Sequence, residues 1–341
     1  MNHPLQRALV PTLSILLAIL LNAAIISATG TDPLMVAERI VRSTLGSPYG
    51  TGQVLFKATT LLFSALAVAI PFHLRLFNIG AEGQLQVGAI AAAISAASLP
   101  PSLTPWAAIP LAVLAAMTAG AGWASIAAIL KIRFRVNEVI STIMLNFIAQ
   151  GVSGYLLFNH FALPSTAHSA PIAENARIAS FSELYGWFPS SPANPSLYAA
   201  IALSLGFWAL LYRTRHGFEM RASGLQPLAA KRAGINPARH TLLAMAMGGA
   251  SAGLGAANLV LGYKGYYEAG MTAGAGFSGI ATALLAAAHP LWIMGSALFM
   301  GLLDYGGLAV NSLVPKEIFQ VMTAVTILLV ISATALNRRN S

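Results

Sequence analysis

Phe77–Gly88 reads FNIGAEGQLQVG and stands between two apolar runs, Val54–Ile70 before it and the alanine-rich Ala89–Leu99 after it. It carries Asn78, Glu82, Gln84 and Gln86, and Gly80, Gly83 and Gly88 are expected to break the helix. Leu85–Leu99 alone would make about 22 Å of helix, short of the roughly 30 Å of a bilayer core. Counted from Phe77, the segment reaches about 35 Å, enough to cross. The polar stretch is therefore predicted to lie within the membrane thickness. Unwound backbone at that depth is tolerated only against protein or a water-filled cavity. A carboxylate there costs roughly 2.5–3.5 kcal/mol on insertion scales, so its default reading is functional.

The composition suits such a segment. Of 341 residues, 57% are hydrophobic and 9% charged, and mean hydropathy is +0.71. Soluble domains carry about 25% charged residues, so the fold class is an all-α integral membrane protein. The net charge of +9 is not gathered into a stripe or tail and indicates no nucleic acid. The basic residues fall in loops, as charges that orient a membrane protein do. The absence of cysteine excludes disulfides, thiolate metal sites and cysteine nucleophiles. The first apolar run follows Arg7 and is long for a leader, so it is read as a retained first helix.

Ten spans are expected: Ala8–Ala28, Val54–Leu76, Phe77–Leu99, Trp106–Leu130, Val139–Phe158, Leu197–Tyr212, Leu242–Leu261, Phe277–Ala288, Leu291–Leu308 and Ile318–Leu336. With a cytosolic N-terminus, most of the 19 basic residues lie inside, from Arg7, Arg75 and Lys131 to Arg338 and Arg339. Arg39, Arg42, Lys57, Arg177, Lys264 and Lys316 are left outside or near the outer face. That bias puts both termini in the cytosol. The chain is expected to be one transmembrane domain over 1–341, with five spans in a first half (8–158) and five in a second (197–336). An odd number per half inverts the second relative to the first. Each half has a short, glycine-flanked span after its second helix, Phe77–Leu99 and Phe277–Ala288, the latter preceded by GMTAGAGF (Gly270–Phe277). Paired broken segments point to a translocation site between the halves.

The external loop 159–196 holds five prolines, Pro164, Pro171, Pro189, Pro192 and Pro195. Its length suggests a binding surface or lid, with disorder the alternative and one short helix expected at Phe181–Tyr185. The longest inner loop, 213–240, reads RTRHGFEMRASGLQPLAAKRAGINPARH. Pro227 suits a first helical position, Leu228–Ala233 are mostly helix formers, and Gly234 suits a terminator. Asn236 and Pro237 then start the next span. A two-turn helix across the inner face would offer Leu228, Ala229 and Ala230 for packing, and Lys231 and Arg232 to acidic groups or lipid headgroups.

These motifs carry a family resemblance. FNIGAEGQ (Phe77–Gln84), NEVISTIMLNFIA (Asn137–Ala149), GxxxRASGxxPxAAxxAGI (Gly217–Ile235) and GFSGIATALLA (Gly276–Ala286) resemble permease subunits of ATP-binding-cassette importers of the branched-chain amino acid and simple sugar type. Within that group the resemblance is greatest to subunits for nucleoside uptake, with Gln226 and Pro227 departing from the usual pattern. The resemblance implies a paired permease, a heterodimer being expected, in a bacterial cytoplasmic (inner) membrane. It also implies a cytosolic ATPase and an extracytoplasmic solute-binding protein as partners. The inner loop would couple to the ATPase through Gly224, Leu228, Ala229, Ala230, Lys231, Arg232 and Gly234. The chain has no GxxxxGK[ST] phosphate loop. ATP would thus be used by the partner, and no cofactor is expected in this chain.

Asn78, Gly80, Glu82 and Gln84 are candidate pathway residues. Glu82 either lines the path or pairs with Arg75, and the amides either share that path or satisfy backbone freed at the break. Thr142, Asn146 and Gln150 recur at i, i+4 and i+8 and should form a polar stripe facing the path or a neighbouring helix. Glu138 and Asp304 are read as interfacial. Gly248, Gly249, Gly253 and Gly255 are read as a close-packing surface. The seven histidines show no metal spacing, and no catalytic constellation is found. A path lined by amides and hydroxyls suits a neutral, hydroxyl-rich solute such as a nucleoside or simple sugar. The alternative function is an ion-coupled secondary transporter, which would want more intramembrane carboxylates than Glu82.

Overall fold

Proline and capping residues punctuate the chain into helices. Pro33, Pro48, Pro105, Pro227, Pro237 and Pro290 each open one, where a missing N–H costs nothing. Asp32, Ser47, Asn137, Thr214 and Asn236 accept from the first-turn N–H groups that follow them. The computed structural model describes the backbone of residues 4–339, and side chains from Leu16 to Leu329 and of Ser332. Arg7, Arg338 and Arg339, on which the orientation partly rests, have side chains outside the described residues.

The helices are α1 (Pro4–Ala28), α2 (Pro33–Thr44), α3 (Pro48–Phe72), α4 (Ala81–Ser98), α5 (Pro105–Phe134), α6 (Glu138–Leu156) and α7 (Phe181–Tyr185). They continue with α8 (Ser196–Arg213), α9 (Arg215–Leu225), α10 (Pro227–Arg232), α11 (Pro237–Leu259), α12 (Ala275–Leu285), α13 (Pro290–Ala309) and α14 (Lys316–Arg339). π-helical turns extend α6 and α11. Among the described residues there is no sheet, only two isolated bridges. Among the described residues, six helices are long and apolar enough to cross a membrane: α3, α5, α6, α8, α11 and α13. The count is seven if the sharply bent pair of α1 and α2, at 109°, is one span. The chain is a multi-pass, all-helical membrane protein. α12 has only 11 residues, about 16 Å of helix.

α3 and α11 form the core. α3 is buried on all sides from Ala58 to Pro71, which marks the centre of a membrane bundle. α5 turns a stripe of small residues, Ala108, Ala112, Ala116, Gly120 and Ala124, toward α11 at a spacing of four. There the Gly120 and Gly249 backbones touch, and Gly253 sits against Ala116. Gly248 packs on α3, where an added Cβ would lie 2.5 Å from the Ala67 carbonyl. Without a hydrophobic force between helices in lipid, such close approach supplies the dispersion energy that holds them.

The loop 159–196 is ordered against the bundle. Its backbone donates from Ser169, Ile172 and Ile178 to Tyr267, Gly265 and Leu261, and from Ala173 to Ala96. Ser180 and Glu183 form a capping box at α7. The Ser180 N–H and the Arg177 guanidinium hold the Glu183 carboxyl below its usual range.

Candidate functional site

The break in the first half is built around Pro71. Proline has no N–H, so the Ala67 carbonyl loses its partner one turn later. Asn78 Nδ2, itself fully buried, replaces it and donates to Ala67 O at 3.0 Å. Between them the chain reverses through Leu74 and Arg75, the latter at φ +55°. Asn78 also exchanges two bonds with Gln84, of 3.1 and 3.0 Å, and accepts from Gly80 N at 3.0 Å. Two residues of α6 clamp the same segment. Asn146 donates to Ile79 O and accepts from Gly83 N at 2.9 and 2.8 Å, and Thr142 Oγ1 accepts from Ile79 N.

The break is shorter than its glycines suggest. It runs from 73 to 80, and Gly83 and Gly88 sit inside a continuous α4. The span counted from Phe77 thus contains an 18-residue helix of about 27 Å. Gly83 and Gly88 serve close packing, against Asn146 and Gly253. Gly80 has an ordinary φ of −76°; it is needed for space, because a Cβ would lie 2.9 Å from Gln84 Nε2. Gln150 does not join Thr142 and Asn146. It is exposed, so the buried polar stripe of α6 is two residues long rather than three.

Glu82 faces neither Arg75 nor open space. It is 5% exposed and ties the first break to the second. Its Oε1 accepts from Thr272 Oγ1 at 2.6 Å and Gly274 N at 3.3 Å, and its Oε2 from Gly276 N at 2.8 Å. The second break turns through Gly270, Ala273 and Gly274, all at positive φ. A side chain on Gly276 would collide with the backbone of Ala81 and Glu82. A carboxylate accepting from the N–H groups that open α12 is favoured by that helix's dipole. The two glycine-rich stretches thus meet through one acid.

One cavity borders this clasp and another borders the turn of the first break. The first, of ≈510 Å³, lies between α3, the second break, α13 and α14, and its wall includes Phe56, Lys57, Thr272, Ser278, Asp304 and Gln320. Asp304, read as interfacial, has a partner: its Oδ2 accepts from Lys57 Nζ at 2.6 Å across the wall. The signal in the sequence was a pair of opposite charges inside two apolar runs, at ends predicted to share a face. Glu138, by contrast, pairs with Lys131 next to the α5–α6 turn. The second cavity, ≈420 Å³, is lined by Arg75, Leu76, Phe77, Leu225, Ala287 and Ala288.

The loop 213–240 holds two helices. α9 was not expected; α10 starts at Pro227 and ends before Gly234 at φ +81°. Leu228, Ala229, Lys231 and Arg232 are exposed, whereas Ala230 is 4% exposed and packs inward. Ala230 is therefore removed from the surface on offer to a partner. Gly224 of α9 lies against the Leu74 backbone, where a Cβ would come within 2.5 Å of its carbonyl carbon. Arg221 stacks over Tyr212 at 5.1 Å, and the Tyr212 hydroxyl bonds His73 Nε2 at 3.0 Å. The Arg215 side chain bonds Glu219 and holds its carboxyl below the usual range. α9 is thereby seated on the turn that opens the first break.

Helices broken in facing pairs inside a multi-pass bundle define a membrane transport permease. The chain belongs to the family described as branched-chain amino acid transport system, permease component, which matches residues 50–331. It is 34% identical to the guanosine ABC transporter permease protein NupP of Bacillus subtilis, over 97% of this chain and 95% of that one. It is 33% identical to the nucleoside ABC transporter permease protein NupB of Lactococcus lactis, over 96% and 91%. The glucose ABC transporter permease protein TsgB13 of Haloferax volcanii is also 33% identical, over 96% and 88%. No solved structure matches the chain. The protein is a transport component rather than an enzyme, and its family implies an ATPase and a solute-binding protein as partners. The ion-coupled transporter falls away.

Proposed function

We propose that the chain carries a nucleoside, or failing that a simple sugar, into the cytosol as one permease of an ABC importer. The observation that carries this reading is the full-length similarity to two permeases named for nucleosides or guanosine. Purified with its ATPase and binding protein and placed in vesicles, the complex should take up guanosine in an ATP-dependent way. Uptake of glucose alone would refute the nucleoside.

The remaining parts belong to the same proposal. All ten apolar stretches cross, the short α12 together with the glycine-rich break that precedes it, the halves 8–158 and 197–336 are inverted about the clasp, and both termini are cytosolic in a bacterial inner membrane. The partner permease is a different chain. In support, Bacillus subtilis, Lactococcus lactis and Haloferax volcanii each offer a second permease of the same naming series, at 27%, 25% and 29% identity. Asn78, Gly80, Glu82, Gln84, Thr142 and Asn146 serve the pathway by holding its breaks, while exposed Gln150 is left for the partner or the path. Gly224, Leu228, Ala229, Lys231, Arg232 and Gly234 form the seat for the ATPase, with Ala230 supporting them from below. ATP is consumed there and not in this chain, which needs no cofactor of its own.

A further inference from the structure

We propose that Asp304 reads a pair of neighbouring hydroxyl groups on the transported solute, in the cavity between α3 and α13. The inference rests on the nucleoside reading and names its binding site. The cavity, at ≈510 Å³, falls within the range of small-molecule sites. Charges within the apolar stretch of a membrane helix are costly and mark function by default. Lys57 and Asp304 form such a pair, yet the Asp304 side chain is 52% exposed and that of Lys57 24%. Open surroundings weaken the attraction within such a pair, so it adds little as a tie between α3 and α13. Lys57 occupies Oδ2, and the rest of the carboxylate faces the space. An ionised carboxylate is acceptor-only and can take two hydroxyl protons side by side. Ribose hydroxyls are read by acidic side chains in this manner.

The rest of the wall suits the other half of a nucleoside. Phe56 and Tyr263 stand with ring centroids 5.1 Å apart and planes at 57°, and both line the cavity. They offer an aromatic surface to a flat base, which stacks without regard to its identity. Thr272 lies on the same wall and donates a hydrogen bond from its hydroxyl to Glu82, so the floor of the chamber is the clasp between the two breaks. A solute held here would rest on the element that must open to pass it.

The test uses the complete importer in vesicles, with guanosine and 2′,3′-dideoxyguanosine as alternative solutes. Asp304→Asn should raise the KM for guanosine at least tenfold and leave that for the dideoxy compound within twofold. Equal losses for both solutes would overturn the proposal. So would restoration of the guanosine KM by the charge-swapped pair Lys57→Asp with Asp304→Lys, which a mere interhelical tie permits and a hydroxyl reader does not. An independent variant avoids the ion pair. Exposed Gln320 on the same wall, changed to cysteine in this cysteine-free chain, should be alkylated by N-ethylmaleimide more slowly when guanosine is present. Unchanged alkylation would refute the site. If the wild-type complex carries a sugar and no nucleoside, the substrate assignment fails. The same variants, read with that sugar against its deoxy analogue, then decide on Asp304 separately.

Discussion

Asn78→Leu is the most informative single change, because it keeps the side-chain volume and removes four hydrogen bonds at once. The amide serves Ala67 O, Gly80 N and both ends of the Gln84 side chain. Each buried group left without a partner costs about 1–3 kcal/mol. Gln84 can recover part of its loss by rotating. Ala67 O cannot, because Pro71 has no N–H to return to it and Gly248 closes the other side. The sum is about 3–5 kcal/mol, at the upper end of single-residue effects. The companion change Gln84→Met removes the reciprocal amide. Replacing both partners of a buried bond by apolar groups is nearly neutral for that bond, so the double variant should be about 1–2 kcal/mol more stable than the two single losses added together. Equilibrium unfolding by sodium dodecyl sulfate in mixed micelles measures all three. An Asn78→Leu protein as stable as wild type, or strict additivity in the cycle, would refute the view that this amide holds the break.

Other perturbations separate the remaining parts of the site. Glu82→Leu should lower both stability and uptake, since it strands Thr272 and two N–H groups, whereas Glu82→Gln should fall between it and wild type; thermal denaturation of the purified complex beside uptake checks the order. Ala229→Glu should leave the permease stable while ATP-dependent uptake fails, and Ala230→Trp should instead cost about 1–3 kcal/mol by overpacking an inward position; unfolding and uptake on the same preparations tell them apart. Gly224→Val should push α9 off the Leu74 turn and lower transport per ATP hydrolysed, read from paired uptake and hydrolysis rates. Single cysteines at Ser190 and Lys231, both exposed, should label from opposite faces of intact cells, Ser190 from outside.

The elements that the sequence made legible are those with local causes. α7 and α10 carry their own start and stop residues, and α7 falls on Phe181–Tyr185 as expected. The polar break was legible as well, but its extent was not. A glycine inside a helix costs about 1 kcal/mol, and nothing nearby in sequence says whether close packing offsets it. Gly83 gains Asn146 and Ala149, and Gly88 gains α11, so the helix runs through both. Glu82 shows the limit most clearly. Its acidity inside an apolar region marked it, but its partners lie 190 to 194 positions away, and a pattern of one chain cannot name them. Lys57 and Asp304 stood out as charges in apolar runs, but their pairing, across 247 positions, could not be named for the same reason. The inward face of Ala230 escaped because a helix of six residues is too short for its periodicity to distinguish its sides.

Contacts between the loop 213–240 and the ≈510 Å³ cavity run largely through backbone. Gly224 sits on Leu74, the turn at Leu74 and Arg75 leads into Asn78, and Gly276 sits on the Glu82 backbone beside Thr272 at the cavity floor. A missing Cβ at two of these points removes the flexible layer that side chains would place between helices. Displacement of α9 by a few tenths of an ångström then cannot be absorbed by rotamer changes; the turn must move with it or the contact must open. The amide and carboxylate networks on either side resist gradual distortion, because each bond weakens steeply once its angle or length departs from ideal. Such an arrangement favours two discrete states over a continuum: the clasp at Glu82 intact, or broken with α12 released. On the proposed function, ATP binding by a partner seated on the loop 213–240 would then be felt at the cavity as a switch, and a solute bound beside Thr272 would move only when that switch is thrown.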